Sequence, residues 1–177
     1  MGKYLYHSSE YKNALVFFDN LMLHFDMLPV SITKEMKLEI PLMAANCHIH
    51  LEEYDEVKKY IGYIDELLEI SKDDKVKGSI HLLYYLISSS NETSYDYRKV
   101  SDYLANYPEI HAQAKYFIAV KLLTKNDFEG AYREMREASQ IFPEDKYSDN
   151  VELLLDAMER FVDSGHFEEA SKYIDLI

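Results

Sequence analysis

The chain has 177 residues, 47% of them hydrophobic, so it can bury a substantial core and is not disordered as a whole. Its net charge of −13 argues against direct nucleic-acid binding and against an anionic membrane surface, since both need clustered Lys and Arg. A single cysteine, Cys47, cannot form an intrachain disulfide, and no stretch resembles a signal peptide or a membrane span. The sequence therefore predicts a soluble, cytoplasmic protein. Its acidity would attract basic peptides or proteins, or it serves only to keep the protein soluble.

Helical periodicity runs through the chain. Apolar residues recur every three or four positions, and good helix formers are abundant while glycine is scarce, at 5 residues. Turn-forming segments at Pro29, Asp73, residues 88–94 and Pro108 separate the periodic stretches. The predicted helices cover residues 11–27, 34–51, 54–70, 76–89, 96–106, 110–124, 128–142, 147–164 and 167–177.

The helix at 128–142 carries the clearest pattern. Asn126 and Asp127 precede it, where their side chains can accept hydrogen bonds from the free N–H groups of the first turn, and Pro143 ends it. With the helix at 110–124 it forms an antiparallel hairpin, because only a few residues join the two. Apolar residues occupy one face, and we expect the charged residues on the opposite, solvent-facing side: Glu129, Arg133, Glu134, Arg136 and Glu137.

The plan of this helix recurs along the chain. An aromatic residue opens the helix, and a small or β-branched residue follows three positions later, where it lets a neighbouring helix approach closely. Successive aromatics are 43, 43, 31 and 39 residues apart, which is typical of arrays of helical hairpins. The pairs are Tyr11 with Ala14, Tyr54 with Val57, Tyr97 with Val100, Phe128 with Ala131, and Phe167 with Ala170.

Residues 112–145 resemble a tetratricopeptide repeat. The matching positions are the small residue of the first helix, the turn aromatic, the two small residues and one bulky residue of the second helix, and the closing proline: Ala119, Phe128, Ala131, Ala138, Met135 and Pro143. Residues 38–70 and 151–177 match moderately, and residues 1–28 and 79–107 match poorly. The resemblance implies an all-α fold, a right-handed superhelix of antiparallel helical hairpins, as one domain over residues 1–177. It also implies peptide or protein binding rather than enzymatic activity.

The irregular repeats, rich in Tyr, Lys, Ile and Asn, also resemble the peptide-sensing regulators of Gram-positive bacteria, the Rap, PlcR, Rgg and AimR-like group. This resemblance implies the sensory domain of a quorum-sensing-type regulator, in which a short peptide shifts the population of superhelical states and alters a homodimer or output-domain contact. The alternative is a general tetratricopeptide-type adaptor that mediates protein–protein assembly. The chain opens with the second helix of a pair and stops in mid-hairpin, so we expect a fragment of a longer protein.

In such a superhelix the first helices of successive hairpins line the inner face. Asn46 lies on an otherwise apolar stretch, and its carboxamide can both donate to and accept from a peptide backbone. Tyr85 and Tyr116 would offer flat apolar faces with polar tips, or they pack in the core. Glu152 and Glu159 would pair with a ligand Lys or Arg, or they form a solvated charged face. The predicted peptide-binding residues are Asn46, His50, Tyr85, Gln113, Tyr116, Glu152 and Glu159.

The run Cys47-His48-Ile49-His50 invites a metal-binding or catalytic interpretation, but helix geometry argues against both. His48 and His50 point about 200° apart on a helix, so they cannot hold one ion, and neither is aimed at the Cys47 sulfur. No zinc-binding, phosphate-binding or nucleophile motif occurs in the sequence. We therefore expect no cofactor, no metal and no catalytic residue.

Overall fold

A computed structural model describes residues 2–29, 31–88, 97–142, 147–163 and 165–174, without the side chains of residues 4, 7 and 147–150. Every regular element in those ranges is helical, and no strand occurs there. The α-helices are α1 Gly2–His7, α2 Tyr11–Leu23, α3 Lys34–His50, α4 Ile61–Ile70, α5 Asp74–Ile87, α6 Arg98–Leu104, α7 Pro108–Thr124, α8 Phe128–Ile141, α9 Tyr147–Asp163 and α10 Phe167–Lys172. None of the described helices is long and apolar enough to cross a bilayer.

Three details differ from the sequence-based expectation. A helix, α1, precedes Tyr11 and packs on α2, although we expected the chain to open with the second helix of a pair. Helix α2 stops at Leu23, and a 3₁₀ turn follows at Phe25–Met27. The predicted helix at 54–70 begins as a 3₁₀ helix, Glu56–Tyr60, in which Val57 and Tyr60 lie three apart and are both buried. Predicted features at residues 89–96, 143, 164 and 175–177 lie outside the described residues.

Contacts divide the chain into two compact units, Met1–Ser89 and Ser90–Ile177, whereas the sequence analysis treats it as one domain. In unit 1, α3 packs on α2 and α4. Tyr11 stacks on His50, and Lys37 Nζ donates to the Phe25 carbonyl at 3.1 Å, so α2 and α3 run antiparallel. Lys34 pairs with Glu66, while His48 near the other end of α3 meets Tyr60 just before α4, so these helices are also antiparallel.

In unit 2, α7 and α8 form the antiparallel hairpin that the sequence predicts. Ala112 near the start of α7 packs with Ala138 and Phe142 at the end of α8, and Lys115 meets Glu134 one turn further along. The Asp127 side chain accepts a hydrogen bond from Gly130 N at 2.9 Å, as expected for a helix cap. Asn126 does not cap the helix and adopts a left-handed backbone conformation, with φ of 59°.

Four helix-to-helix corners share one backbone conformation. Each residue with positive φ lies two positions before an opening aromatic, and its N–H bonds to the carbonyl three residues back. The next N–H bonds to the carbonyl five residues back, which is the Schellman arrangement that closes a helix. The residues with positive φ are Ser9, Glu52, Asn126 and Gly165.

The small residues that follow the aromatics are buried. Their exposed fractions are 0% for Ala14, Val57, Val100 and Ala131 and 4% for Ala170. Burial at these positions is what close helix packing requires. The spacing read from the sequence therefore coincides with repeated helix corners in both units.

Candidate binding surface

In unit 2, α7 and α9 lie side by side. The Tyr116 hydroxyl donates to the Asp156 carboxylate, and Leu153 packs on the cluster of Ala112, Ala138 and Phe142. The contact nearer the start of α7 involves the residue nearer the start of α9, so the two helices run in the same direction. Helices α8 and α10 also meet, through the rings of Tyr132 and Tyr173 at 5.5 Å.

Three of the predicted binding residues are exposed on these neighbouring helices. Gln113 lies on α7, and Glu152 and Glu159 lie on α9. None of the three side chains makes a hydrogen bond or an ion pair among the described residues.

Tyr116 contributes to the structure of this surface rather than to its exposed face. The residue is 7% exposed, its hydroxyl is taken up by Asp156, and Asp156 also accepts from Arg160 Nε at 2.8 Å. The burial corrects the expectation that Tyr116 offers an open flat face. Its role here is to hold α7 against α9.

The predicted binding residues of unit 1 are more buried than the three exposed ones of unit 2. Asn46 is half-buried on α3, and its carboxamide makes no hydrogen bond with any described residue. Tyr85 is 4% exposed and belongs to the core, so the expectation that it lines an open face is corrected as well. Its position on α5 places it inside the packed unit because the helix is buried on most of its circumference.

His50 also packs against its own unit. Its ring stacks on Tyr11, with centroids 4.3 Å apart and planes at 7°, and Nε2 lies 3.5 Å from the Tyr6 hydroxyl. Burial lowers the pKa of His50 to about 4, so the ring is neutral at pH 7. A neutral, stacked imidazole is a poor anchor for a charged ligand.

A buried polar chain lies next to His50 on α3. His48 is 6% exposed, and its Nδ1 lies 2.8 Å from Glu53 Oε2 while its Nε2 lies 3.3 Å from the Tyr60 hydroxyl. Tyr60 in turn donates to Asp19 at 3.0 Å, which links α3 to α2. His48 and His50 thus have different partners, and no group of three potential metal ligands exists among the described residues.

The cysteine offers no nucleophile. Cys47 is completely buried, and burial together with the nearby Asp19 carboxylate raises its pKa to about 12. A thiol in this state is protonated at physiological pH and out of reach of a substrate.

One ionic cluster in unit 2 is not predicted by the sequence pattern. Lys115 is 6% exposed, and its Nζ donates to Glu134 at 2.8 Å and to Glu137 at 2.6 Å. Burial alone would lower the pKa of Lys115, but the hydrogen bonds to the two carboxylates outweigh it and raise the pKa. Glu134 itself is 4% exposed, so its predicted place on the solvent face was wrong: it turns inward to meet the lysine. The available signal was Lys115, a lysine placed between the small and apolar residues Ala114 and Tyr116 of α7.

A small surface pocket of about 260 Å³ lies where α8 meets α10. Phe128 and Tyr132 give it apolar walls, and Lys172 lies 4.0 Å from Glu129 at its rim. Asp127, which also lines it, is engaged in capping α8. The pocket contains none of the predicted binding residues.

Comparison with known proteins adds no relative: no family model, no curated protein and no solved structure matches the chain. Function must therefore be argued from the surfaces themselves.

Proposed function

We propose that the chain is a peptide- or protein-binding domain built from tetratricopeptide-like helical pairs that stack into a right-handed superhelix. Support comes from the four corners with one backbone conformation and from the buried small residue that follows each of them. The parallel neighbours α7 and α9 are the arrangement that stacked hairpins produce. The binding residues on these two helices are Gln113, Glu152 and Glu159.

The observation that carries the binding proposal is the unengaged polar surface of α7 and α9. Exposed carboxylates are commonly solvated without a partner, so the proposal depends on how those of α9 are arranged. Glu152 and Glu159 lie seven residues, about two helical turns, apart on one exposed face of α9, and neither pairs with another described residue. With a net charge of −13, the chain would attract a basic ligand to this surface.

Binding is favoured over catalysis because the candidate catalytic groups are occupied or buried. Cys47 is an inaccessible thiol, and His48 and His50 are held by Glu53, Tyr60 and Tyr11. The single buried cysteine also supports a reducing, cytoplasmic location.

A narrower form of the proposal assigns the chain to the sensory part of a bacterial peptide-sensing regulator. It rests on the resemblance in repeat irregularity and composition described above. Peptide binding would then favour one arrangement of the helical pairs and change the contact with an output domain or a second copy.

Isothermal titration of the full chain with short basic, apolar and acidic peptides tests the proposal. We expect saturable binding of basic peptides that contain apolar residues, and no binding of acidic ones. A folded chain that binds none of the three classes would contradict a peptide-binding function. A stoichiometric folded protein that co-purifies while all peptides fail would replace the peptide ligand with the adaptor role.

A further inference from the structure

Two rows of side chains that are at least partly exposed run along α9. The acidic row contains residues spaced four, three and four apart, and the apolar row beside it has the same spacing. Because an α-helix turns about 100° per residue, each row stays on one side of the helix over its whole length. The acidic row is Glu152, Asp156, Glu159 and Asp163, and the apolar row is Val151, Leu155, Met158 and Val162. Asp156 in the acidic row is already engaged by Tyr116 and Arg160.

The apolar row is incompletely covered. Leu155 is 51% exposed and Val162 is 44% exposed, although Leu154 and Phe161 on the same helix are each 1% exposed. Val16 and Leu23 on α2 are also exposed and seven residues apart, so exposure alone does not mark a contact surface. The α9 pair differs because a row of carboxylates lies beside it. Those carboxylates give this face of α9 a definite charge.

The spacing indicates the conformation of the occupant. Leu155 and Val162 are two helical turns apart, as are Glu152 and Glu159, which corresponds to about 10.5 Å along the axis. Residues two turns apart on a partner helix match this distance and share one face. In an extended strand the same distance spans about three residues, and side chains three apart point to opposite faces.

The charge indicates the composition of the occupant. Lys or Arg beside an apolar row on the partner would face Glu152 and Glu159 while the apolar residues cover Leu155 and Val162. A second copy of this chain docked through the same face would bring two acidic rows together, and like charges oppose that pairing.

We propose that this α9 face binds a basic amphipathic helix from another protein, through carboxylate pairs to Glu152 and Glu159 and apolar contact with Leu155 and Val162. The inference rests on the binding function proposed above and names the partner's class and the surface it uses.

The test uses the full chain and a fluorescently labelled, helix-forming probe peptide whose Leu residues and Lys residues each recur about two turns apart. Three comparison peptides complete the set: the same composition in scrambled order, a version with central prolines, and a version with Glu in place of Lys. The variant E152K/E159K reverses both charges, and Leu155→Gln places a polar side chain in the apolar row. A matched control, E69K/D102K, changes the net charge equally at two exposed positions on other helices, α4 and α6.

We expect the probe to bind and gain helical circular dichroism, and E152K/E159K to weaken binding at least about tenfold, since two attractions become repulsions. Leu155→Gln and high salt should each also weaken probe binding. The affinity of the E69K/D102K control should stay within about twofold of the unmodified chain, because salt screens the effect of distant charges. If the proline-containing or scrambled peptide binds as tightly as the probe, the partner does not bind as an amphipathic helix. Binding that survives E152K/E159K unchanged would overturn this surface but leave the proposed function standing. Failure of every peptide would remove both.

Discussion

Units 1 and 2 close their helices with the same corner but link their helices with different chemistry. In unit 1 the link from α3 runs through hydrogen-bonded and stacked aromatic rings, in which Tyr60 joins His48 to Asp19 and Tyr11 covers His50. In unit 2 the link from α7 is ionic, with Lys115 held between Glu134 and Glu137.

This difference shows that the corner conformation is required in both units, whereas the polar contacts between the helices can differ. The corner needs a residue that accepts positive φ and a small residue that permits close packing. The interior link needs only that buried polar groups are paired, and either set of partners satisfies that need. The exposed surfaces of the two units differ too, because unit 2 leaves Glu152 and Glu159 of α9 without a partner among the described residues, while His50 of unit 1 packs inside its own unit.

The ionic link should show the largest effect on stability. In Lys115→Met, the buried Glu134 loses its cationic partner, so we expect the free energy of unfolding to fall by about 3–5 kcal/mol in urea titrations. The double variant K115M/E134L removes both charges and should recover most of that loss. A loss below about 1 kcal/mol in the single variant would mean that water reaches Glu134. The ionic contact of unit 2 would then not be a buried one, which contradicts the comparison with unit 1.

The unit 1 link should make stability depend on pH. Because the folded pKa of His50 is about 4 and its ordinary value is 6.5, the unfolded chain takes up a proton first as pH falls. The stabilisation from neutral His50 should therefore be complete above pH 6.5 and be lost progressively down to pH 4, up to about 3 kcal/mol.

Denaturation curves of the unmodified chain and of His50→Phe between pH 7 and pH 4 measure this contribution. The phenylalanine side chain of the variant keeps a ring against Tyr11 but cannot titrate, so the variant should lose less stability over that range. Parallel curves for the two proteins would show that His50 is solvated in the folded state.

A substitution at the shared corner should change the free energy of unfolding by a smaller amount. The control substitution, within a helix, should change it in the opposite direction. Gly165 has φ of 79°, and a Cβ there would meet no atom within 4 Å, so Gly165→Ala tests the backbone conformation alone. We expect a loss of about 1 kcal/mol in the free energy of unfolding. Gly62→Ala also meets no atom within 4 Å but lies in α4, and it should stabilise by up to about 1 kcal/mol. Equal effects at both sites would contradict the left-handed corner.

Local pattern predicted the helices and the corners, because both depend on residues close in sequence. Phe128 and Ala131 are an example: their spacing gave the helix start and the buried contact, and Asp127 supplied the cap. The partners of side chains on different helices were not predictable in the same way. The burial of Glu134 depends on Lys115, which is 19 residues away, and that of His50 on Tyr6, 44 residues away.

The candidate site was predicted in part for the same reason. The positions of Gln113, Glu152 and Glu159 on first helices followed from the repeat alignment, and these residues are exposed. The repeat alignment also places Leu155 on the inner face, beside Glu152 and Glu159, but the continuation of the exposed apolar row to Val162 was not predicted. Only the packing of α9 shows which part of its apolar surface stays uncovered.

Methyl NMR of the full chain during titration with the basic helical probe tests the central claim most directly. The account predicts that the methyl resonances of Leu155 and Val162 shift in a saturable way. Those of Val16 and Leu23, which are 63% and 78% exposed in unit 1, should stay in place and provide the control. Saturable binding that shifts Val16 and Leu23 but leaves Leu155 and Val162 unchanged would contradict the account.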